Sequence, residues 1–166
     1  LRADSGLGDE ERLLLRACME RLGGENRDHA RYIRILTQML LAQLVRADDA
    51  HPLTREQCQI IGMAAVLHDI GKMELADLRP NGCDAGTPEE AARMQQHPLL
   101  GAQMMEDLEA YRDEYFVQTA YQICRWHHER YDGSGYPDGL SGEQIPLAAQ
   151  VVGLADAYET LVCSSP

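Results

Sequence analysis

Hydrophobic residues recur along this chain at steps of three and four positions, the spacing that places side chains on one face of an α-helix. The clearest stripe lies between residues 25 and 46 and predicts a long amphipathic helix there; its members are Ile33, Leu36, Leu40 and Leu44. A shorter stripe predicts a helix over residues 9–22, which is broken by the Gly23-Gly24 pair.

Two helix starts are marked by capping boxes, in which a threonine stands three positions before a glutamine or a glutamate. Thr54 with Gln57 begins a helix that is predicted to end near Gly71. Thr87 with Glu90 begins another, and the intervening proline is typical of a first helical turn.

Further helices are predicted in the second half of the chain, after Pro98, over residues 111–127 and over residues 146–162. Residues 77–86 contain glycine, proline and asparagine and predict a loop. No segment alternates with period two, and no internal repeat is found. The predicted fold class is therefore all-α, a compact bundle of about seven helices.

Composition and charge exclude some classes of function but say little about the fold. The chain has 27 acidic and 15 basic residues and a net charge of −12, which disfavours a nucleic-acid polymer as partner, because such binding needs a basic surface. No apolar run reaches the roughly 18 residues of a membrane span, and the N-terminus lacks a signal-peptide pattern. Five scattered cysteines suit free thiols, so we expect a cytoplasmic protein without membrane insertion.

Five of the six histidines fall where polar residues interrupt or end the predicted helices. His68 and Asp69 follow an apolar stripe, so both face burial and need partners. Glu25 and His29 are four positions apart and share a helix face. His127 and His128 are adjacent where a helix gives way to glycines. A cluster of metal ligands is the interpretation that satisfies all these positions together.

Eight side chains are candidate ligands: Glu25, His29, His68, Asp69, His97, His127, His128 and Asp156. They combine imidazole with carboxylate and include no thiolate, a set that favours iron(II) or manganese(II) over a structural zinc site. The set exceeds the needs of one ion, so two or three divalent ions are predicted, with Asp69 bridging two of them. The charge of the ions outweighs that of the carboxylates, which favours a phosphate-containing substrate.

Two motifs resemble a known family. "HDIGK" at 68–72 followed by "HHERYDGSGYP" at 127–137 is similar to the HD-GYP domains, the branch of the HD phosphohydrolases that hydrolyses cyclic di-GMP. The resemblance runs from about Glu25 to the end of the chain. It implies an HD-type helical fold and assigns the metal ions to the candidate ligands, with Glu25 and His29 matching the pair found in members with a third ion.

The resemblance also implies roles around the substrate. Asp69 and Lys72 match the catalytic positions, with the lysine near the bridging water and the scissile phosphate. Substrate contacts are implied for Lys72, Gly135, Tyr136 and Pro137. Three positions depart from the family pattern: Ser165 replaces an arginine that helps to hold phosphate, Tyr32 replaces another arginine, and the 77–86 loop lacks the usual lysine-proline-glycine.

The expected organisation is a catalytic domain over residues 25–166, short of the family's last helices, preceded by a helix in 1–24 that connects to an upstream regulatory domain. GGDEF-type or receiver domains are the partners that the resemblance implies, and a homodimer is left open. The expected activity is metal-dependent hydrolysis of cyclic di-GMP to pGpG, with a second cut giving GMP.

Two alternatives stay open from the sequence. The first is an HD phosphohydrolase acting on another nucleotide, such as cyclic GMP–AMP or a nucleoside phosphate. The second is a module that binds a cyclic dinucleotide or a partner domain without catalysis, which the serine at position 165 favours.

Overall fold

The structure of the chain is a computed structural model, and it describes residues 13, 24–47, 53–78, 87–108, 111 and 114–163. The side chains of residues 24–26, 76–78 and 163 are outside this description. Most of the predicted helix over 9–22, most of the 77–86 loop and Ser165 therefore lie outside the described residues, and the division of the chain at residue 24 stays a prediction.

Regular structure in the described ranges is helical, which confirms the all-α class. The α-helices are α1 (Gly24–Ala47), α2 (Arg55–Ala64), α3 (Pro88–Met94), α4 (His97–Glu106), α5 (Tyr115–Trp126) and α6 (Leu147–Cys163). Short 3₁₀ segments cover Ala65–Leu67, Ile70–Leu78 and Gly142–Gln144. None of the helices in the described part combines the length and apolar character needed to cross a bilayer.

Both capping boxes form as predicted. The Thr54 hydroxyl accepts from the Gln57 amide at 3.1 Å, and the Gln57 side chain accepts from the Thr54 amide at 2.8 Å. The Thr87 and Glu90 pair repeats this geometry at the start of α3. Each cap satisfies backbone N–H groups that would otherwise lack a partner.

The helix that begins after Thr54 differs from its predicted extent. It ends as an α-helix at Ala64, continues as a 3₁₀ turn through Leu67, and gives way to a turn at His68 and Asp69. The Ala65 carbonyl explains the change, since it accepts from both the His68 amide at 3.3 Å and the His68 Nδ1 at 2.9 Å. The prediction of one helix reaching Gly71 is therefore wrong in its last part.

One hydrophobic core lies between α1, α2, α5 and α6. Its largest fully buried apolar side chains include Ile33, Leu41, Leu67, Ile70, Phe116, Ile123 and Val152. Three histidines, His68, His97 and His127, are buried beside this core with at most 3% of their surface exposed. Burial of neutral imidazoles to this extent requires that their ring nitrogens find partners.

The 3₁₀ segment Ile70–Leu78 contacts α4 through glycine. A Cβ atom on Gly71 would overlap the His97 carbonyl oxygen and would lie 2.5 Å from the Gly101 amide nitrogen. The backbones meet directly here, so Gly71 allows the segment after Asp69 to lie against the start of α4.

We predict that Gly71→Ala lowers the free energy of unfolding by roughly 1–3 kcal/mol, because the new methyl must separate two backbone segments. Gly62→Ala is the matched control, since its Cβ would meet the movable Gln38 side chain at 2.8 Å rather than backbone. Urea denaturation of both variants measures the difference. Equal midpoints for the two variants would contradict the close packing at Gly71.

Candidate metal centre

Five separate parts of the fold bring candidate ligands together. His29 lies on α1, His68 and Asp69 form the turn after the first 3₁₀ segment, and Asp156 lies on α6. His97 is the first residue of α4, a helix that the sequence predicted to begin only after Pro98. His127 and His128 form the turn directly after α5, as predicted.

The ligand atoms form two groups. In the first, Asp69, His97, His127 and His128 each offer an atom within 4.8 Å of all the others. In the second, His29, His68 and Asp156 do the same. The His97 and His127 Nε2 atoms are 3.3 Å apart, and the His29 and His68 Nε2 atoms are 3.1 Å apart.

Asp69 lies between the two groups and turns one oxygen toward each. Its Oδ1 is 3.2 Å from His97 Nε2 and 3.9 Å from His127 Nε2. Its Oδ2 is 3.4 Å from His68 Nε2 and 3.7 Å from His29 Nε2. This is the arrangement that a carboxylate bridging two ions requires.

Backbone carbonyls determine which ring nitrogen faces the cluster. The Nδ1 atoms of His68, His97 and His127 lie 2.7–2.9 Å from the carbonyls of Ala65, Met94 and Ile123. A carbonyl only accepts, so each Nδ1 carries the proton, and a neutral ring then presents a bare Nε2. The Nε2 atoms of these rings therefore face the two groups, where the lone pair of each neutral ring can bind a cation.

The surroundings of the first group keep two of its histidine rings neutral, the form that binds a metal ion. Burial, aided by His128, holds the pKa of His127 well below its usual range. Burial, with His97 adding to it, lowers the pKa of His128 to about 3. Both rings are therefore neutral near pH 7, as metal coordination requires.

The Asp69 carboxyl is held ionised although it is buried. Burial opposes ionisation, but His68, His97 and Lys72 outweigh burial and lower the pKa of Asp69 well below its usual value. The same pairing raises the pKa of His68, because Asp69 and Asp156 outweigh the effect of burial on that ring. The Oδ1 atom of Asp69 is buried and makes no hydrogen bond, so it retains an unsatisfied acceptor that a cation would satisfy.

The donor set in both groups is imidazole nitrogen and carboxylate oxygen. The buried thiol of Cys124 bonds to the Leu67 carbonyl at 3.1 Å and is not in either group. Divalent ions of the iron, manganese or zinc type accept this chemistry. The residues present therefore fit a divalent metal centre. Glu25 lies at the second residue of α1, but its side chain is outside the described residues.

Lys72 and Tyr136 flank the centre from two directions. The Lys72 ammonium donates to Asp69 Oδ2 at 2.6 Å and keeps 30% of its side chain exposed. The Tyr136 ring stacks on His128 with centroids 4.8 Å apart and an interplanar angle of 23°. Burial, with Asp69 and Asp156 adding to it, raises the pKa of Tyr136 to about 12, so its hydroxyl stays a hydrogen-bond donor.

The glycine loop after His128 folds back over the centre. A Cβ atom on Gly135 would overlap the Arg130 amide nitrogen, so only glycine lets the loop lie on the backbone of residues 128–130. The Tyr136 amide donates to the His128 carbonyl at 3.3 Å, and Asp132 pairs with Ser141 across the loop. A cavity of about 1060 Å³ opens here, lined by His128, Tyr136, Gln150 and Asp156 among others.

The comparisons with known proteins agree with this geometry. The model of the HD domain family matches residues 15–166. The cyclic di-GMP phosphodiesterase response regulator RpfG of Xanthomonas campestris pv. campestris is 42% identical over 117 residues, which cover 69% of this chain and 29% of the relative. A probable cyclic di-GMP phosphodiesterase of Vibrio cholerae is 37% identical over 137 residues, which cover 80% of this chain and 30% of the relative.

The chain belongs to the HD-GYP branch of the HD domain family.

A second kind of relative has a different substrate in its name. The 3'3'-cGAMP-specific phosphodiesterase 2 of Vibrio cholerae is 33% identical over 112 residues, covering 66% of this chain and 20% of that protein. The chain thus spans less than a third of the length of the relatives described here. The HD-GYP assignment rests on the matched domain.

The residues that hold the glycine loop after His128 in place were not identified from the sequence. Asp138 accepts from Arg125 Nε at 2.8 Å, from Arg125 Nη2 at 3.0 Å and from Trp126 Nε1 at 2.7 Å. Glu129 Oε1 accepts from the Asp138 and Gly139 amides at 2.7 and 3.0 Å. A signal existed, since Glu129 lies within the motif of residues 127–137 and Asp138 directly follows it, but only the folded loop shows which donors they meet.

We predict that Asp138→Ala loosens the loop while leaving the fold intact. Hydrogen bonds from Arg125 and then Trp126 lower the pKa of Asp138, so its carboxylate holds both side chains throughout neutral pH. Because the clamp is partly exposed, its loss should speed exchange of the Asp138 and Gly139 amides by roughly three- to fivefold. Hydrogen exchange measures this, with Asp107→Ala, at the exposed residue that follows α4, as the control. Unchanged exchange in Asp138→Ala would contradict the clamp.

Proposed function

We propose that this chain is the catalytic domain of a metal-dependent phosphodiesterase that hydrolyses cyclic di-GMP. The observation that carries the proposal is the pair of ligand groups that share Asp69, one oxygen facing each. The names of the Xanthomonas and Vibrio relatives support cyclic di-GMP as the substrate.

The centre is proposed to hold two or three divalent ions, with iron(II) or manganese(II) preferred for its nitrogen and oxygen donors. The first group, with Asp69, takes one ion and the second group takes another. Glu25, four positions before His29 in the chain, is the proposed ligand of a third ion. When bound, the ions act as Lewis acids and supply an activated water.

The chain's own residues orient the reaction. Asp69 fixes the spacing of the two groups and stays ionised because His68, His97 and Lys72 surround it. Lys72 carries the nearest ammonium to that carboxylate and is proposed to bind a phosphoryl oxygen of the substrate, where charge develops. Tyr136, stacked on His128 and protonated, is proposed to donate a hydrogen bond from the loop to the substrate, with Gly135 and Pro137 as the other proposed substrate contacts.

The proposed reaction adds one water across one phosphodiester of the ring. The water oxygen bonds to phosphorus, the bond from phosphorus to the 3'-oxygen breaks, and that oxygen leaves with a proton. The product is linear pGpG, and a second cut of the same kind gives GMP.

Asp69→Ala tests the centre most directly. We expect loss of ions from both groups and a fall in pGpG formation of at least about 100-fold, since even residues behind the ligands are worth about 10–100-fold in metal affinity or activity. Metal analysis of protein purified without oxygen and a pGpG assay measure the two effects, with Asp107→Ala as the control. Full activity with unchanged metal content would overturn the proposal.

A related cyclic dinucleotide is the second candidate substrate, supported by the name of the cGAMP-specific relative. We expect the metal-loaded chain to hydrolyse cyclic di-GMP faster than 3'3'-cGAMP and to leave nucleoside monophosphates intact. Chromatography of products from each substrate measures the preference. Faster turnover of 3'3'-cGAMP would reassign the substrate, and tight binding of cyclic di-GMP without turnover would instead favour a sensor.

The setting of the domain is also a proposal. The name of the Xanthomonas relative, a response regulator, supports a receiver domain as partner, with GGDEF-type domains as the other expected class. The unpaired thiol of Cys58 supports the proposal of a reducing, cytoplasmic location. The homodimer and the effect of Ser165 stay predictions.

A further inference from the structure

Glu159 lies on α6, three positions after Asp156, so the two carboxylates share one face of the helix. Its side chain is 15% exposed, and Oε2 lies 3.2 Å from His29 Nδ1 on α1. The contact joins residues 130 positions apart. Glu159 was not a candidate from the sequence, and it is outside both ligand groups.

The contact determines how the His29 ring is protonated. An ionised carboxylate only accepts, so Nδ1 carries the hydrogen and Nε2 of the neutral ring keeps its lone pair. That Nε2 lies 3.1 Å from His68 Nε2 and 3.5 Å from Asp156 Oδ1. Glu159 therefore stands behind His29 while the other ring nitrogen faces the ions' positions.

A comparison with the other rings explains why a side chain is needed here. His68, His97 and His127 lie at turns or helix ends, where carbonyls are available to accept from Nδ1. His29 lies inside α1, where the carbonyls of the preceding turn serve the helix's own N–H groups. The acceptor for the His29 Nδ1 hydrogen comes instead from another element, α6.

We propose that Glu159 is the positioning residue for His29: it fixes the tautomer and orientation of the ring so that Nε2 serves the second ligand group. A carboxylate behind a ligating histidine also makes that ligand more basic. The role rests on the proposed function only in that the centre binds divalent ions. Glu159 would tune the His29, His68 and Asp156 group without touching the substrate.

The first test uses metal-free protein and nitrogen-15 NMR of the histidine rings. In the native chain we expect His29 protonated at Nδ1, and in Glu159→Ala a shift toward protonation at Nε2. Glu159→Gln should retain the native tautomer, because its amide oxygen still accepts. The control is Glu143→Ala, which removes an exposed carboxylate elsewhere in the chain.

The second test titrates each protein with manganese(II) and follows the broadening of the ring signals. We expect the affinity of the His29 group to fall by about 10–100-fold in Glu159→Ala and by less in Glu159→Gln, with the His97 group unchanged. If Glu159→Ala fails to fold, the loss of affinity in Glu159→Gln carries the test. An unaltered His29 tautomer in Glu159→Ala, or native manganese(II) affinity in Glu159→Gln, overturns the proposal.

These readouts separate the inference from the proposed function. Tautomer and manganese(II) affinity are measured without any nucleotide. Absence of cyclic di-GMP hydrolysis in the native chain would overturn the function alone, whereas a native His29 tautomer in Glu159→Ala would overturn the positioning role alone.

Discussion

The convergence of several imidazole rings on one buried carboxylate is the constraint on which the rest of the structure depends. Carbonyls at helix ends accept from the Nδ1 atoms of His68, His97 and His127, which leaves their Nε2 atoms facing inward. A buried carboxylate, Asp69, then stands among them with one oxygen unsatisfied. Such a cluster is costly in an apolar core unless positive charge occupies it, so the fold makes sense as the frame of a metal centre.

Much of this arrangement could be predicted from residue type and spacing. Capping boxes at Thr54 and Thr87 predicted helix starts correctly because they depend only on local hydrogen bonds. The ligand residues were conspicuous because imidazole and carboxylate interrupt apolar stripes, and the structure brings together His29, His68, Asp69, His97, His127, His128 and Asp156. Polar residues at the ends of apolar stripes need partners when they are buried, so a single sequence was enough to suggest metal binding.

What could not be predicted depends on contacts between distant segments. The 3₁₀ turn before His68 arises because the Ala65 carbonyl bonds to the ring, a competition that periodicity does not record. The place of His97 at the start of a helix depends on how α4 meets Gly71. Glu159 resembles any polar residue on a mostly small and apolar helix until α1 lies beside α6 and His29 faces it.

The contact between α1 and α6 at His29 has a consequence for how long the protein survives in the cell. An ion held by His29, His68 and Asp156 would act as a staple between two helices at opposite ends of the described chain. Because ligand binding stabilises the state that binds, part of the free energy of unfolding would depend on the concentration of the ion in the cell. Scarcity of the ion would then lower the stability of the fold as well as the activity of the domain. Metal starvation would therefore also increase the rate at which the protein is degraded.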